Sequence, residues 1–133
     1  MAVERFEDLV AWQRARVLAR EVYALTRAGD LTRDFGLRDQ IQRSAVSVMA
    51  NIAEGFDRNR PIEFARFLDI AKGSCAEVKS HLYIAHDVGH IAESELVRLL
   101  SLADDTARIV AGLRRTTGDR GLRTGDPIRR GAS

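Results

Sequence analysis

Cysteine is almost missing from this chain: Cys75 stands alone among 133 residues. One thiol excludes an intramolecular disulfide and argues against a cysteine-based zinc site. Aromatic residues are few, at 6% against 45% apolar residues overall, a balance typical of soluble helical proteins. No apolar run approaches the ~18 residues of a membrane span. The opening MAVERFEDLV has no hydrophobic leader segment, so a cytoplasmic protein is expected. A phosphate-cradling G-x-x-x-x-G-K-[ST] run is absent too. The length suits one domain with a real core.

Net charge is a modest +2, but it is unevenly divided. Residues 114–133 hold six arginines (Arg114, Arg115, Arg120, Arg123, Arg129, Arg130) against two aspartates. The first 113 residues hold 15 basic and 17 acidic side chains. An electrostatic grip on nucleic acid must therefore come from a local patch or from the tail.

What is present is helical periodicity, with no alternating strand pattern to compete. A first helix is expected from about Glu7 to Arg27, with Leu9, Trp12, Ala15, Ala19, Val22 and Tyr23 on one face. A second runs from Phe35 to Glu54, with Asp34 as N-cap and Gly55 as its stop. A third opens near Pro61, where a missing N–H costs little. Its Phe64, Leu68, Ala71, Cys75, Val78, Leu82 and Ala85 keep heptad spacing, the seam of a bundle. Gly89 should end it. A fourth starts near Ser94 and uses Leu96, Leu100, Ala103, Ala107, Val110 and Leu113. The fold class is therefore all-α, an up-down-up-down four-helix bundle over residues 1–115. Residues 116–133, rich in Gly and charge, are expected to form a disordered basic tail.

The second helix is unusual. Leu37, Ile41, Ala45, Val48 and Ile52 line one stripe, and Val46, Met49, Ala53 and Phe56 widen it to roughly half the circumference, against the ~100° of an ordinary core-facing helix. The excess predicts contact between copies, with Val46, Met49, Ala53 and Phe56 as the oligomer interface. The opposite, polar face gathers Gln40, Arg43, Ser44, Ser47, Asn51 and Glu54. One reading is an internal hydrogen-bond network in which Arg43 pairs with Glu54 or Asp39. The other is a binding surface, with Arg43 on phosphate and Asn51 or Gln40 on a base or backbone edge.

Three further features point to packing. His86-Asp87-Val88-Gly89-His90 resembles a two-histidine zinc helix, but a stop at Gly89 would remove His90 from the helix and break the i,i+4 geometry, so no metal is expected. Cys75 on the heptad seam reads as a small hydrophobe. Gly73, in mid-helix at a cost of ~1 kcal/mol, reads as a site of close helix approach, within the chain or to another subunit. Trp12, Tyr23, Phe35, Phe64 and Phe67 read as core and not as a stacking platform interleaved with basic residues. Glu54 with Asn51 lacks a histidine, a second carboxylate or a metal set, so no catalytic residue, cofactor or enzymatic activity is expected.

Several blocks are similar to a known family. Phe6, Asp8-Leu9, Trp12-Gln13, Tyr23 and Thr26, then Phe35-Gly36-Leu37, Gln40-Ile41, Arg43, Ala45-Val46-Ser47 and Asn51-Ile52-Ala53-Glu54-Gly55, resemble four-helix-bundle proteins encoded in 23S rRNA intervening sequences. The likeness continues at Phe64, Phe67-Leu68, Ala71, Gly73-Ser74 and Glu77. That family includes accessory variability proteins of diversity-generating retroelements. The resemblance implies a ring-like homo-oligomer, typically a pentamer, with an accessory role around RNA or DNA and no enzymatic activity. It also implies a reverse transcriptase partner for retroelement members. The chain departs from the pattern in a first loop without proline and in its arginine-rich tail. For phosphate contacts the first candidates are Arg114, Arg115, Arg120 and Arg123 of the tail, and the second patch is Arg38, Arg43, Arg58 and Arg60.

Overall fold

The computed structural model describes the backbone of residues 3–124 and side chains through residue 117. Four helices follow in order: α1 (Val10–Thr26), α2 (Phe35–Asp57), α3 (Pro61–Asp87) and α4 (Glu93–Thr124). Single 3-10 turns precede α1 (Phe6–Asp8) and α2 (Gly29–Thr32), and no strand occurs among the described residues. The packed pairs are α1 with α2, α2 with α3, α3 with α4 and α4 with α1. That closes a four-sided bundle in which short loops make successive helices antiparallel.

The heptad seam of α3 is buried along its whole length, from Phe64 to Ala85. It meets Ile41, Val48 and Ile52 of α2, Leu18 and Val22 of α1, and Leu99 and Val110 of α4 in one apolar cluster. Cys75 lies inside that cluster, where burial pushes its thiol up to about 11. A thiol so held is an unreactive packing group.

Asp34 caps α2 as expected, its Oδ1 accepting from the Leu37 N–H at 3.2 Å. Its other oxygen meets His90 Nε2 at 3.0 Å, tying the start of α2 to the loop after α3. That hydrogen bond, then the one from Leu37, holds the Asp34 carboxyl below its ordinary value of 3.8. A carboxylate with a depressed folded pKa adds stability that is complete above its unfolded value and lost as pH falls through the folded one. Asp34→Asn should therefore lower the thermal midpoint at pH 7 and narrow its gap to the parent chain as pH drops below about 4. Melting curves at several pH values check this.

Two helix ends differ from expectation. Gly55 does not stop α2, which runs on to Asp57. The residue that turns the chain is Asn59, at φ 58°, a left-handed conformation that asparagine tolerates. Gly55 instead serves close approach: a Cβ there would sit 2.5 Å from Phe67 Cβ and 3.0 Å from Phe64 Cδ1. Gly73 has nothing within 4 Å of its would-be Cβ, so the close approach expected there is not to a helix of its own chain. α4 continues to Thr124, past the expected bundle end at 115. Glycine weakens a helix by ~1 kcal/mol but, unlike proline, leaves every backbone hydrogen bond possible. Residues 125–133 of the expected tail lie outside the described residues. Gly89, at φ 82°, ends α3 as foreseen.

Candidate nucleic-acid interface

The polar face of α2 divides: Ser44, Ser47 and Asn51 turn toward α3, while Gln40, Arg43 and Glu54 are exposed. Ser44 is buried; its Oγ donates to the Ile41 carbonyl at 3.1 Å and lies 3.3 Å from His81 Nδ1 on α3. Ser47 Oγ meets Ser74 Oγ at 2.9 Å, and Asn51 Nδ2 donates to both the carbonyl and the hydroxyl of Ser47. These bonds make a polar seam between α2 and α3, the internal-network reading of the sequence. His81 is a member the sequence reading missed, because nothing in local spacing shows that it faces Ser44 across two helices. Gln40 stays exposed and outside the seam, and Glu54 pairs outward with Arg58 at 2.9 Å. Arg43 does not pair with Asp39 or Glu54. Asp39 takes Arg38 at 3.2 Å, which leaves Arg43 exposed and unpaired.

The widened apolar stripe of α2 is largely used within the chain. α2 packs on both α1 and α3, so it needs two apolar flanks where a surface helix needs one. Phe56 is 1% exposed and stacks edge-on to Phe64 with centroids 5.8 Å apart, which removes it from any outer interface. Met49 and Ala53 are half-buried, and Val46 is exposed at 39%. The larger apolar surplus is on α3, where Ile62, Ile70 and Ile84 are exposed at 50, 47 and 44%. With Gly73 they fall inside a sector of about 80° at 100° per residue.

Four of the eight predicted arginines, Arg38, Arg58, Arg60 and Arg114, are paired within the chain. Arg58 reaches Glu54 and, at 3.7 Å, Glu63; its guanidinium also lies 5.3 Å from the Phe67 ring centroid. The Glu54 hydrogen bond raises the Arg58 pKa further above its ordinary value. Arg60 is 3.6 Å from Glu63. Arg38 is half-buried, donates to the Thr32 carbonyl and covers Phe35 at 4.9 Å. Phe35, expected in the core, is 64% exposed beneath it. Arg114 forks onto Asp69 with bonds of 3.0 and 3.3 Å. With Lys72 and Arg115, these two line a cavity of about 240 Å³ between α3 and α4. Arg115 is exposed, while the side chains of Arg120 and Arg123 lie outside the described ones.

Further free cations lie along α1. Arg14, Arg16 and Arg20 on α1 and Arg27 at its C-cap are exposed, and none makes an ion pair among the described residues. The one acid on α1, Glu21, is taken by Arg98 of α4. Single-residue inspection passed over these arginines because the sum over residues 1–113 is slightly acidic. The carboxylates of that sum that form ion pairs hold cations other than these four. Among the described residues no cluster of three histidine, cysteine or carboxylate groups can hold a metal ion, and His90 lies beyond the end of α3 as expected. No helix among the described residues is long and apolar enough to cross a membrane.

Comparison with known proteins agrees with this architecture. The family model described as 23S rRNA-intervening sequence protein matches residues 7–112. No curated protein matches in sequence. A solved structure of a protein with unknown function from the S23 ribosomal protein family of Bacteroides thetaiotaomicron VPI-5482 superposes with a TM-score of 0.72. It is 18% identical, and the match covers 80% of this chain and 99% of that one. At that identity the likeness concerns the fold.

Proposed function

The chain belongs to the 23S rRNA-intervening sequence protein family, and from that premise we propose that it is a non-enzymatic, homo-oligomeric accessory or scaffold protein that works on RNA or DNA. The observation that carries the reading is the contrast between two sets of polar side chains. Those of α2 and α3 bond one another, whereas the arginines along α1 face solvent with no ion pair among the described residues. Cations in that state are available to phosphates. Copies repeated in one assembly add weak contacts into a stable one. The exposed isoleucines of α3 supply apolar surface for such an assembly. In its most specific form the proposal is a five-fold ring in the cytoplasm that supports a reverse transcriptase or an rRNA-linked element. The α3 strip also favours a second reading, a protein–protein module with no nucleic-acid role.

Sedimentation of the full chain, alone and with structured RNA, separates these. The proposal expects a multi-copy species at micromolar concentration that carries RNA with it. A multi-copy species that leaves RNA behind supports the interaction module, and a monomer that leaves RNA behind contradicts both.

A further inference from the structure

The unpaired arginines of α1 are ordered in a way that points to one kind of ligand. At 100° per residue, Trp12, Arg16, Arg20, Tyr23 and Arg27 fall in a single sector of about 80°. Spacings of four, four, three and four set the two aromatic residues among the three basic ones along it. Arg14 and Glu21 lie outside this sector, toward α4, where Glu21 holds Arg98. The sequence alone was read as lacking such interleaving, because the aromatic residues were assigned wholesale to the core. Trp12 and Tyr23 are in fact half-buried: each turns part of its ring to the surface.

The two rings hold two of the arginines. The Arg16 guanidinium lies 5.5 Å from the Trp12 ring centroid, and that of Arg27 5.9 Å from Tyr23. A guanidinium resting on a ring keeps its N–H edges free and its outer face open, so it can donate to a phosphate and stack beneath a base. Stacking also fixes the side chain before ligand arrives, which reduces the freedom lost on binding. Arg16 to Arg27 spans about 16 Å along the helix. Before the strip, Glu7 is engaged by Arg5 at 2.9 Å and Asp8 is exposed and makes no ion pair among the described residues; after it, Asp30 is held by Arg33. Val10 at the start of α1 is exposed, and Trp12 is braced from behind by Phe6 at a centroid distance of 5.3 Å.

We infer that this face of α1, built on Trp12, Arg16, Arg20, Tyr23 and Arg27, binds single-stranded nucleic acid, with the arginines on successive phosphates and the stacked guanidinium–ring pairs beneath unpaired bases. A duplex keeps its bases inside and offers this surface only phosphates, whereas a single strand offers both. The inference rests on the nucleic-acid reading above and assigns it to the α1 face, away from the Arg58–Arg60 corner.

Trp12 is the only tryptophan, so its emission reports on this face directly. The full chain is titrated with single-stranded oligouridylate and with duplex RNA at low salt. Expected are a saturable change in Trp12 emission and tighter binding of the single strand. Arg16→Glu/Arg20→Glu/Arg27→Glu should weaken binding by about tenfold or more, while Arg58→Glu/Arg60→Glu should stay within about twofold. All substituted side chains are exposed, and circular dichroism confirms that the variants fold. Undiminished binding by the α1 variant, an unchanged Trp12 signal during binding, or preference for the duplex would each overturn the inference and leave the nucleic-acid reading standing. Absence of binding by the parent chain would overturn both.

Discussion

Gly55→Ala is expected to lower the thermal midpoint by about 6–10 °C, the equivalent of about 2 kcal/mol for a domain of this size. In an open helix the same change gains up to ~1 kcal/mol, because alanine is the better helix former. Here the new methyl would sit 2.5 Å from Phe67 Cβ, an atom fixed to the backbone of α3, with Phe67 Cγ at 3.1 Å. No rotamer change relieves that contact, so α2 and α3 must separate, and the interhelical hydrogen bonds at Ser44 and Ser47 stretch with them. Gly73→Ala is the matched control: its Cβ meets nothing within 4 Å, and it should raise the midpoint by a few degrees. Differential scanning calorimetry of the two variants reads opposite signs from one chemical change. Equal midpoints would mean that α2 and α3 are not in the close contact described.

Phe56→Ala should cost about 3–5 kcal/mol and, on the same scale, lower the midpoint by more than 10 °C. The ring is fully enclosed and packs edge-on to Phe64, so truncation leaves a cavity between the end of α2 and the start of α3. The result separates two roles that sequence periodicity cannot. A core residue loses stability in every oligomeric state. An interface residue loses partners first and leaves the protomer's melting nearly unchanged at low concentration. Midpoint against protein concentration, for parent and variant, distinguishes them, and the core assignment requires a large fall at all concentrations.

How far the sequence could be read follows from which forces are local. The α3 seam, the Asp34 cap and the Gly89 stop were legible because each depends on residues within a few positions. Gly55 was misplaced because a helix-ending glycine and a helix-crossing glycine look alike until the second helix is present. The half-apolar cylinder of α2 was read as surplus because single-helix periodicity counts faces but not neighbours. The internal bundle supplies two neighbours, and the unsatisfied apolar surface moved to Ile62, Ile70 and Ile84 of α3. At the candidate site the arginines themselves were visible, but their pairing was not. Glu63 and Asp69 neutralise Arg60 and Arg114, and Glu21 reaches across to Arg98 instead of serving its own helix. Which cations remain free is a tertiary property: Arg38, Arg58 and Arg60 near the second loop are paired within the chain, while Arg16, Arg20 and Arg27 are not.

The central claim is that unpaired arginines of α1 hold nucleic acid electrostatically. Its most direct test is the affinity of the parent chain for single-stranded RNA across a range of salt concentrations. Three arginines on three phosphates predict a log–log slope of about −2 per engaged chain, steeper where several copies of one assembly bind together. A slope near zero, or one that Arg16→Glu/Arg20→Glu/Arg27→Glu leaves unchanged, would contradict it.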